Sequence, residues 1–149
     1  MILKNLITTL LHFFVAIIMI IITTSFYSSH YNWVYGLYLY LFVTFIVYNV
    51  IPKHHIKGIR NIFLKDYNTA FQNFNDSLDY FNKYHIIDKY GFIFLLNMSD
   101  YTFRECALTN QAYILLKQGK KEEAIDLYKK ALELNSKNKI AILGIRNLN

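Results

Sequence analysis

The sequence predicts an all-α chain in two parts: an N-terminal transmembrane helical hairpin, then a short stack of antiparallel helices of the α-solenoid type. Three observations carry this. Residues 2–51 hold a single charged side chain, Lys4, whereas residues 53–149 hold every other charge of a 149-residue chain with formal net charge +6. Two apolar runs in the first part, 6–23 and 34–51, each match the length of helix that crosses a hydrocarbon core of about 30 Å. In the second part apolar residues recur at intervals of three and four, punctuated by proline, glycine, serine and asparagine. The division follows as a transmembrane hairpin over 1–52 and a helical domain over 53–149.

The first run, from Leu6 to Thr23, and the second, from Val34 to Ile51, are joined by SFYSSHYNW, a link that forces antiparallel passage. Tyr27, Tyr31, Trp33 and Tyr35 fall there, where amphipathic rings sit at headgroup level. Lys4 precedes the first run, the link has no lysine or arginine, and Lys53, Lys57, Arg60 and Lys65 follow the second before the first acid, Asp66. The positive-inside rule then predicts an integral, multi-pass protein of the inner or plasma membrane, with both termini and the helical domain in the cytoplasm. Lys4 and the run after it imitate a signal peptide, but no small-x-small cleavage site follows cleanly and the second run would stop transfer. His12 reads as a neutral ring bonded to Tyr48, Asn49 or a headgroup, because an ionised group in lipid is costly. Tyr38, Tyr40 and Thr44 read as hydrogen-bonding groups between the two helices.

The stretch PKHHIKGIRNIFLK opens the helical domain. Its four fixed positive charges, Lys53, Lys57, Arg60 and Lys65, suit a surface facing an anionic lipid leaflet, at about 1 kcal/mol per basic residue. Ile56, Ile59, Ile62 and Phe63 have near-helical spacing and read both as the apolar part of a helix lying along that leaflet and as the core face of the domain's first helix, with Pro52 at its N-terminal turn, where a missing N–H costs little. The adjacent His54 and His55 point about 100° apart on a helix and do not form a metal-chelating i, i+4 pair. No metal site is predicted.

The punctuated periodicity is clearest over 105–138, ECALTNQAYILLKQGKKEEAIDLYKKALELNSKN. Ala112, Leu115 and Leu116 mark the inner side of one helix, Gly119 breaks it, and Ala124, Tyr128, Ala131 and Leu132 share a face of the next. This resembles the tetratricopeptide repeat, whose 34-residue pattern places small, aromatic and alanine positions in this order. Leu108 stands where the pattern often has tryptophan, Ala112 where it has glycine, Leu115 where it has tyrosine and Ser136 where it has proline. An earlier, degenerate copy over 51–84 places Ala70, Phe74 and Leu78 at the spacings of Ala124, Tyr128 and Leu132, with Ser77 for Ala131 and a first helix over 53–64. The offset between copies is 54 residues, so 85–100 is an insertion. Its apolar run from Tyr90 to Leu96 reads as a short helix or turn, with Ser99 or Asp100 as N-cap of the helix that follows. Residues 139–149 read as a capping helix with Ile140, Leu143, Ile145 and Leu148 closing the core.

The resemblance implies a partner-binding surface on the first helices, which in such arrays line the concave side. In the better copy that face carries Cys106, Thr109, Asn110, Tyr113, Leu116 and Lys117. Asn110 grips peptide backbone, Tyr113 offers an aromatic platform and Lys117 pairs with a carboxylate. The degenerate copy presents Ile56, Ile59 and Phe63 instead, so a two-carboxylate clamp is not matched.

Other classes fit poorly. There is no P-loop, no Gly-x-Ser-x-Gly elbow, no HExxH and no CxxC, and Glu122 and Glu123 sit where they favour a helix dipole. Cys106 is the only cysteine, which excludes an internal disulfide. Residues 66–149 hold eleven basic and ten acidic side chains, so the positive excess lies just before them, and nucleic acid is not an expected partner. The sequence therefore predicts a non-enzymatic, cofactor-free membrane adaptor with a protein or peptide partner, anionic lipid beneath it and scope for homo-oligomers. The alternative is a small regulatory or immunity-type membrane subunit acting through its hairpin.

Overall fold

The computed structural model describes residues 2–26, 32–49, 52–91 and 99–148. Among them are eight helices and no strand: α1 Ile2–Phe26, α2 Asn32–Asn49, α3 Lys53–Phe63, α4 Tyr67–Lys83, α5 His85–Lys89, α6 Phe103–Lys117, α7 Lys121–Leu134 and α8 Lys139–Arg146. They fall into two compact units, one of Met1–Ile51 with Tyr90–Asp100 and one of Pro52–Lys89 with Tyr101–Asn149. Most of the apolar run 90–96 lies outside the described residues.

In the first unit α1 and α2 pair as a hairpin. A Cβ on Gly36 would lie 2.7 Å from the Ile20 Cα and 2.8 Å from the Thr23 hydroxyl, so the missing side chain sets how closely the helices approach. His12 Nδ1 lies 2.7 Å from the Tyr40 hydroxyl. Tyr48 and Asn49, the partners expected for His12, have side chains outside the described residues. Thr44 turns back on its own helix, donating to the Tyr40 and Leu41 carbonyls.

The transmembrane expectation is corrected here. Among the described residues no helix is long and apolar enough to cross a membrane. Helix α1 carries polar groups toward both ends, Thr9 and His12 at one and Thr23, Thr24 and Ser25 at the other. Helix α2 begins and ends on asparagine and carries Tyr35, Tyr38 and Tyr40 between. The spans 6–23 and 34–51 are set aside, and with them the integral, multi-pass placement with both termini and the helical domain in the cytoplasm.

The second unit is built from capped helices. Asp66 accepts from the Thr69 N–H at the start of α4, and Asn138 from the Ala141 N–H at the start of α8. Helix α6 opens on a capping box: Thr102 accepts from the Glu105 N–H while the Glu105 carboxylate accepts from the Thr102 N–H. Thr102 is the N-cap, rather than Ser99 or Asp100. The turns after α3 and α6 have one geometry. Asp66 N–H donates to the Asn61 carbonyl and Lys65 N–H to that of Ile62; 54 residues on, Lys120 N–H donates to Leu115 and Gly119 N–H to Leu116. Each closes a Schellman turn around a left-handed residue, Gly119 at φ 77° and Lys65 at φ 59°.

A lysine pays a steric cost in that conformation that a glycine does not. Lys65→Gly is therefore expected to stabilise the domain and Gly119→Ala to destabilise it, each by about 1 kcal/mol. A Cβ at position 119 meets nothing within 4 Å, so only backbone strain acts there. Urea midpoints of the two variants, moving in opposite directions at unchanged slope, are the check.

The core also repeats at 54 residues. Around α7 it comprises Leu108, Ala112, Leu115, Ala124, Tyr128, Ala131 and Ala141. Around α4 it comprises Ala70, Phe74, Ala107 and Ile114. Gly58 stands where Ala112 does in the later copy, and a Cβ there would come within 2.8 Å of the Phe74 ring. That contact decides which face of α3 is buried. His55 and Gly58 turn inward with Ile62 partly buried, while Ile56, Ile59 and Phe63 stay exposed, against the expectation that they form the core face. The C-terminal segment departs similarly: Ala141 and Ile145 of α8 and Leu148 just after it meet the core, and Ile140 and Leu143 face outward.

Candidate functional site

Helix α6 is held on its inner side by Ala107, Leu108, Gln111, Ala112, Ile114 and Leu115, all buried. The Gln111 amide donates to Asn75 at 2.6 Å and to the Phe71 carbonyl at 3.4 Å, fastening α6 along α4, and Gln118 donates to Asn68 at 3.1 Å near the other end. The outward line is then Cys106, Asn110, Tyr113 and Lys117, spaced so that they share one side of the helix. Tyr113 is 39% exposed, and the Lys117 ammonium lies 5.2 Å from its ring centre, a cation–π contact that joins the two. Asn110 and Cys106 are half-buried.

Thr109 does not join this surface. It is buried, and its hydroxyl donates to the Glu105 and Cys106 carbonyls at 3.1 Å each. Leu116 packs partly against the core. The sequence pattern puts Thr109 with the outward residues and Leu116 on both faces, since neighbouring positions on a helix differ by about a third of a turn and the boundary between faces is narrow.

Helix α3 carries the equivalent positions of the earlier copy. The His55 ring meets Phe103 of α6 edge-on at 5.1 Å and Phe74 of α4 at 5.3 Å, and its Nδ1 lies 3.4 Å from the Ser77 hydroxyl. Burial lowers its pKa to about 4. Beside it, His54 Nδ1 lies 3.3 Å from Asp76 Oδ2, close enough for an ion pair but without hydrogen-bond alignment. Lys53, Lys57, Arg60 and Lys65 are all exposed.

Several polar residues at this end of the domain gave no isolated sequence signal. Asp88 of α5 accepts from the Phe103 N–H at 2.6 Å, the Arg104 N–H at 3.3 Å and the Arg104 Nε–H at 2.9 Å, placing a carboxylate on the positive end of α6. Burial pushes its pKa up, and these bonds oppose the shift. Glu105 spans further: beyond its own capping box its second oxygen accepts from the Asn135 and Asn138 amides at 2.9 and 3.0 Å. Among the described residues no group of three His, Cys, Asp or Glu is placed to hold a metal ion.

Two antiparallel helices, a left-handed turn between them, and a small-residue face under an aromatic side chain define a helical repeat. Residues 106–138, from within α6 to the cap of α8, match the family model for the tetratricopeptide repeat. No curated protein and no solved structure was found to match the chain. A tetratricopeptide repeat thus occupies 106–138; repeats of this kind generally bind protein partners, and its presence points to a protein–protein interaction adaptor.

Proposed function

We propose that this chain is an interaction adaptor whose recognition surface is the outward line of α6, and that it binds a partner without performing chemistry on it. The observation that carries this is the line Asn110, Tyr113 and Lys117 on a helix whose inner side is wholly committed to the core. Asn110 offers a donor and an acceptor to peptide backbone, Tyr113 a rigid amphipathic ring and Lys117 a cation for a carboxylate. Aromatic anchors of this kind dominate interface energetics when partner atoms desolvate them.

The test is selection of a displayed random-peptide library on the full-length protein. A consensus is expected to emerge, and Asn110→Ala/Tyr113→Ala/Lys117→Ala should weaken its binding by about tenfold or more at unchanged helical content. Absence of enrichment, or an equal affinity in the variant, would count against the assignment.

A second reading makes the α1–α2 hairpin the acting part, as in a small regulatory subunit. It is favoured by Leu10, Phe13, Phe14, Ile17 and Ile21 of α1 and Phe42 and Phe45 of α2, all exposed, because apolar surface on this scale marks an interaction face. The same selection on a chain with an unrelated hairpin in place of α1 and α2 separates the two. A consensus that survives the exchange assigns recognition to the repeat, and one that disappears assigns it to the hairpin.

A further inference from the structure

The outer surface of α3 is divided into stripes. His55, Gly58 and Ile62 face the core; Ile56, Ile59 and Phe63 form a second line, and Lys53, Lys57 and Arg60 a third. Within each line the residues lie three or four apart and so stack along the helix. The order around the axis is set by two contacts. His54, on one flank of the buried line, reaches Asp76 of α4, whereas His55, on the other, meets Phe103 of α6. The apolar line follows His55 in the same sense of rotation, so it is the wall of α3 on the side of α6, and the basic line forms the crest beyond it.

This wall is exposed: Ile56 is 42%, Ile59 38% and Phe63 81% accessible. The charge around it is one-sided. Helix α3 contains no acid, and the only carboxylate of α6, Glu105, is 4% exposed and occupied by Asn135 and Asn138. Lys57 and Arg60 on one bank and Lys117 on the other therefore have no carboxylate on either helix to neutralise them. Such a channel favours a partner bearing negative charge beside apolar side chains.

We propose that the channel between α3 and α6 takes an acidic amphipathic peptide segment of a partner protein, its apolar side chains against Ile56, Ile59 and Phe63 and its carboxylates toward Lys57, Arg60 and Lys117. This rests on the adaptor reading and names the chemistry of the partner. A flat anionic lipid surface fits less well. A helix lying on lipid turns its apolar line to the centre of the outer face with basic residues on the flanks, and in α3 the basic line occupies the crest while the apolar line is turned toward α6.

The probe is a pair of short fluorescent peptides with leucine and phenylalanine at i, i+4 and i+7, one carrying glutamates between them and its twin lysines, titrated into the full-length protein by fluorescence anisotropy. The acidic peptide should bind at least about tenfold more tightly than the basic one, with the preference shrinking as salt rises. Lys57→Glu/Arg60→Glu should reverse the preference, and Ile59→Asp/Phe63→Asp should remove binding of both at unchanged helical content. Equal binding of the twins, or an acidic preference that survives Lys57→Glu/Arg60→Glu, would overturn the proposal. So would failure of both peptides alongside binding to phosphatidylserine vesicles, but not phosphatidylcholine ones, that Lys57→Glu/Arg60→Glu abolishes. If the random library yields Tyr113-dependent peptides of another chemistry, the acidic assignment falls while the adaptor reading stands; if it yields none, both fall.

Discussion

Glu105→Ala is expected to cost the helical domain about 3 kcal/mol, because it strips partners from one buried and one half-buried amide and opens a capping box at once. One carboxylate oxygen accepts from the Thr102 N–H and hydroxyl at 3.3 and 3.1 Å; the other accepts from the Asn135 and Asn138 amides. The consequence reaches beyond the local bonds. Asn138 is 1% exposed, and while its amide nitrogen donates to Glu105 its amide oxygen accepts from the Ala141 N–H at the start of α8. Asn135 is oriented likewise, its oxygen accepting from the Lys137 N–H. A single carboxylate thus fixes the first turn of α6 and sets which way both amides point, and through Asn138 it sets the cap of α8. Glu105→Gln retains one acceptor oxygen but turns an NH2 toward groups that are already donors, so a loss of about 1–2 kcal/mol is expected. Urea denaturation followed by helical signal gives the values. A loss below about 1 kcal/mol for the alanine variant would show that water replaces the carboxylate at this site.

Much of this network was present in the sequence as pattern but not as consequence. Thr102-x-x-Glu105 has the form of a capping box, yet the polar residues just before it, Ser99 and Asp100, are equally good N-caps by type, and only the backbone at Thr102 decides among them. The repeat was legible because its signals are local: Gly119 for the left-handed turn, and Ala124, Tyr128 and Ala131 at helical spacing. The earlier copy is harder to read, since Lys65 holds the left-handed position that Gly119 holds later and nothing in a lysine announces it.

The buried face of α3 departs from its hydrophobic pattern for a physical reason. Hydrophobicity places isoleucine inside and histidine outside, but a bulky Phe74 needs a vacant position opposite it, and Gly58 supplies that position. The face around Gly58 is therefore buried, His55 goes in with it, and the isoleucines are left on the wall toward α6. On α8 the Tyr128 ring lies against Gly144, where a Cβ would come within 2.6 Å, and the buried positions are chosen by fit rather than by size. Thr109 shows the same limit at the candidate site, since a hydroxyl that bonds its own helix backbone is free to be buried.

The rotation that buries His55 also makes the domain sensitive to acid. The folded-state pKa of about 4 lies below the unfolded value of 6.5, because burial between Phe74 and Phe103 disfavours the imidazolium. As pH falls the unfolded chain takes up the proton first. The stability contributed by the neutral ring is whole above pH 6.5, declines through the interval below it and is lost near pH 4, for a total of about 3 kcal/mol. Charged neighbours on the adjoining helices do not relieve this: Asp76 is paired with His54, and Arg104, next to Phe103, adds a positive charge engaged by Asp88. His55→Gln removes the titrating group and keeps a hydrogen-bonding side chain beside Ser77. It is expected to be less stable than the parent at pH 7.5, having lost both ring contacts, but to lose about 3 kcal/mol less between pH 7.5 and 4. Carboxylates common to both proteins, Asp88 included, cancel in that difference. Equal losses in the two proteins would mean that the imidazole is solvated in the folded state. Because His55 joins α3 to both α4 and α6, its protonation acts on the wall carrying Ile56, Ile59 and Phe63, so binding at that wall should weaken in acid before the α6–α7 pair unfolds.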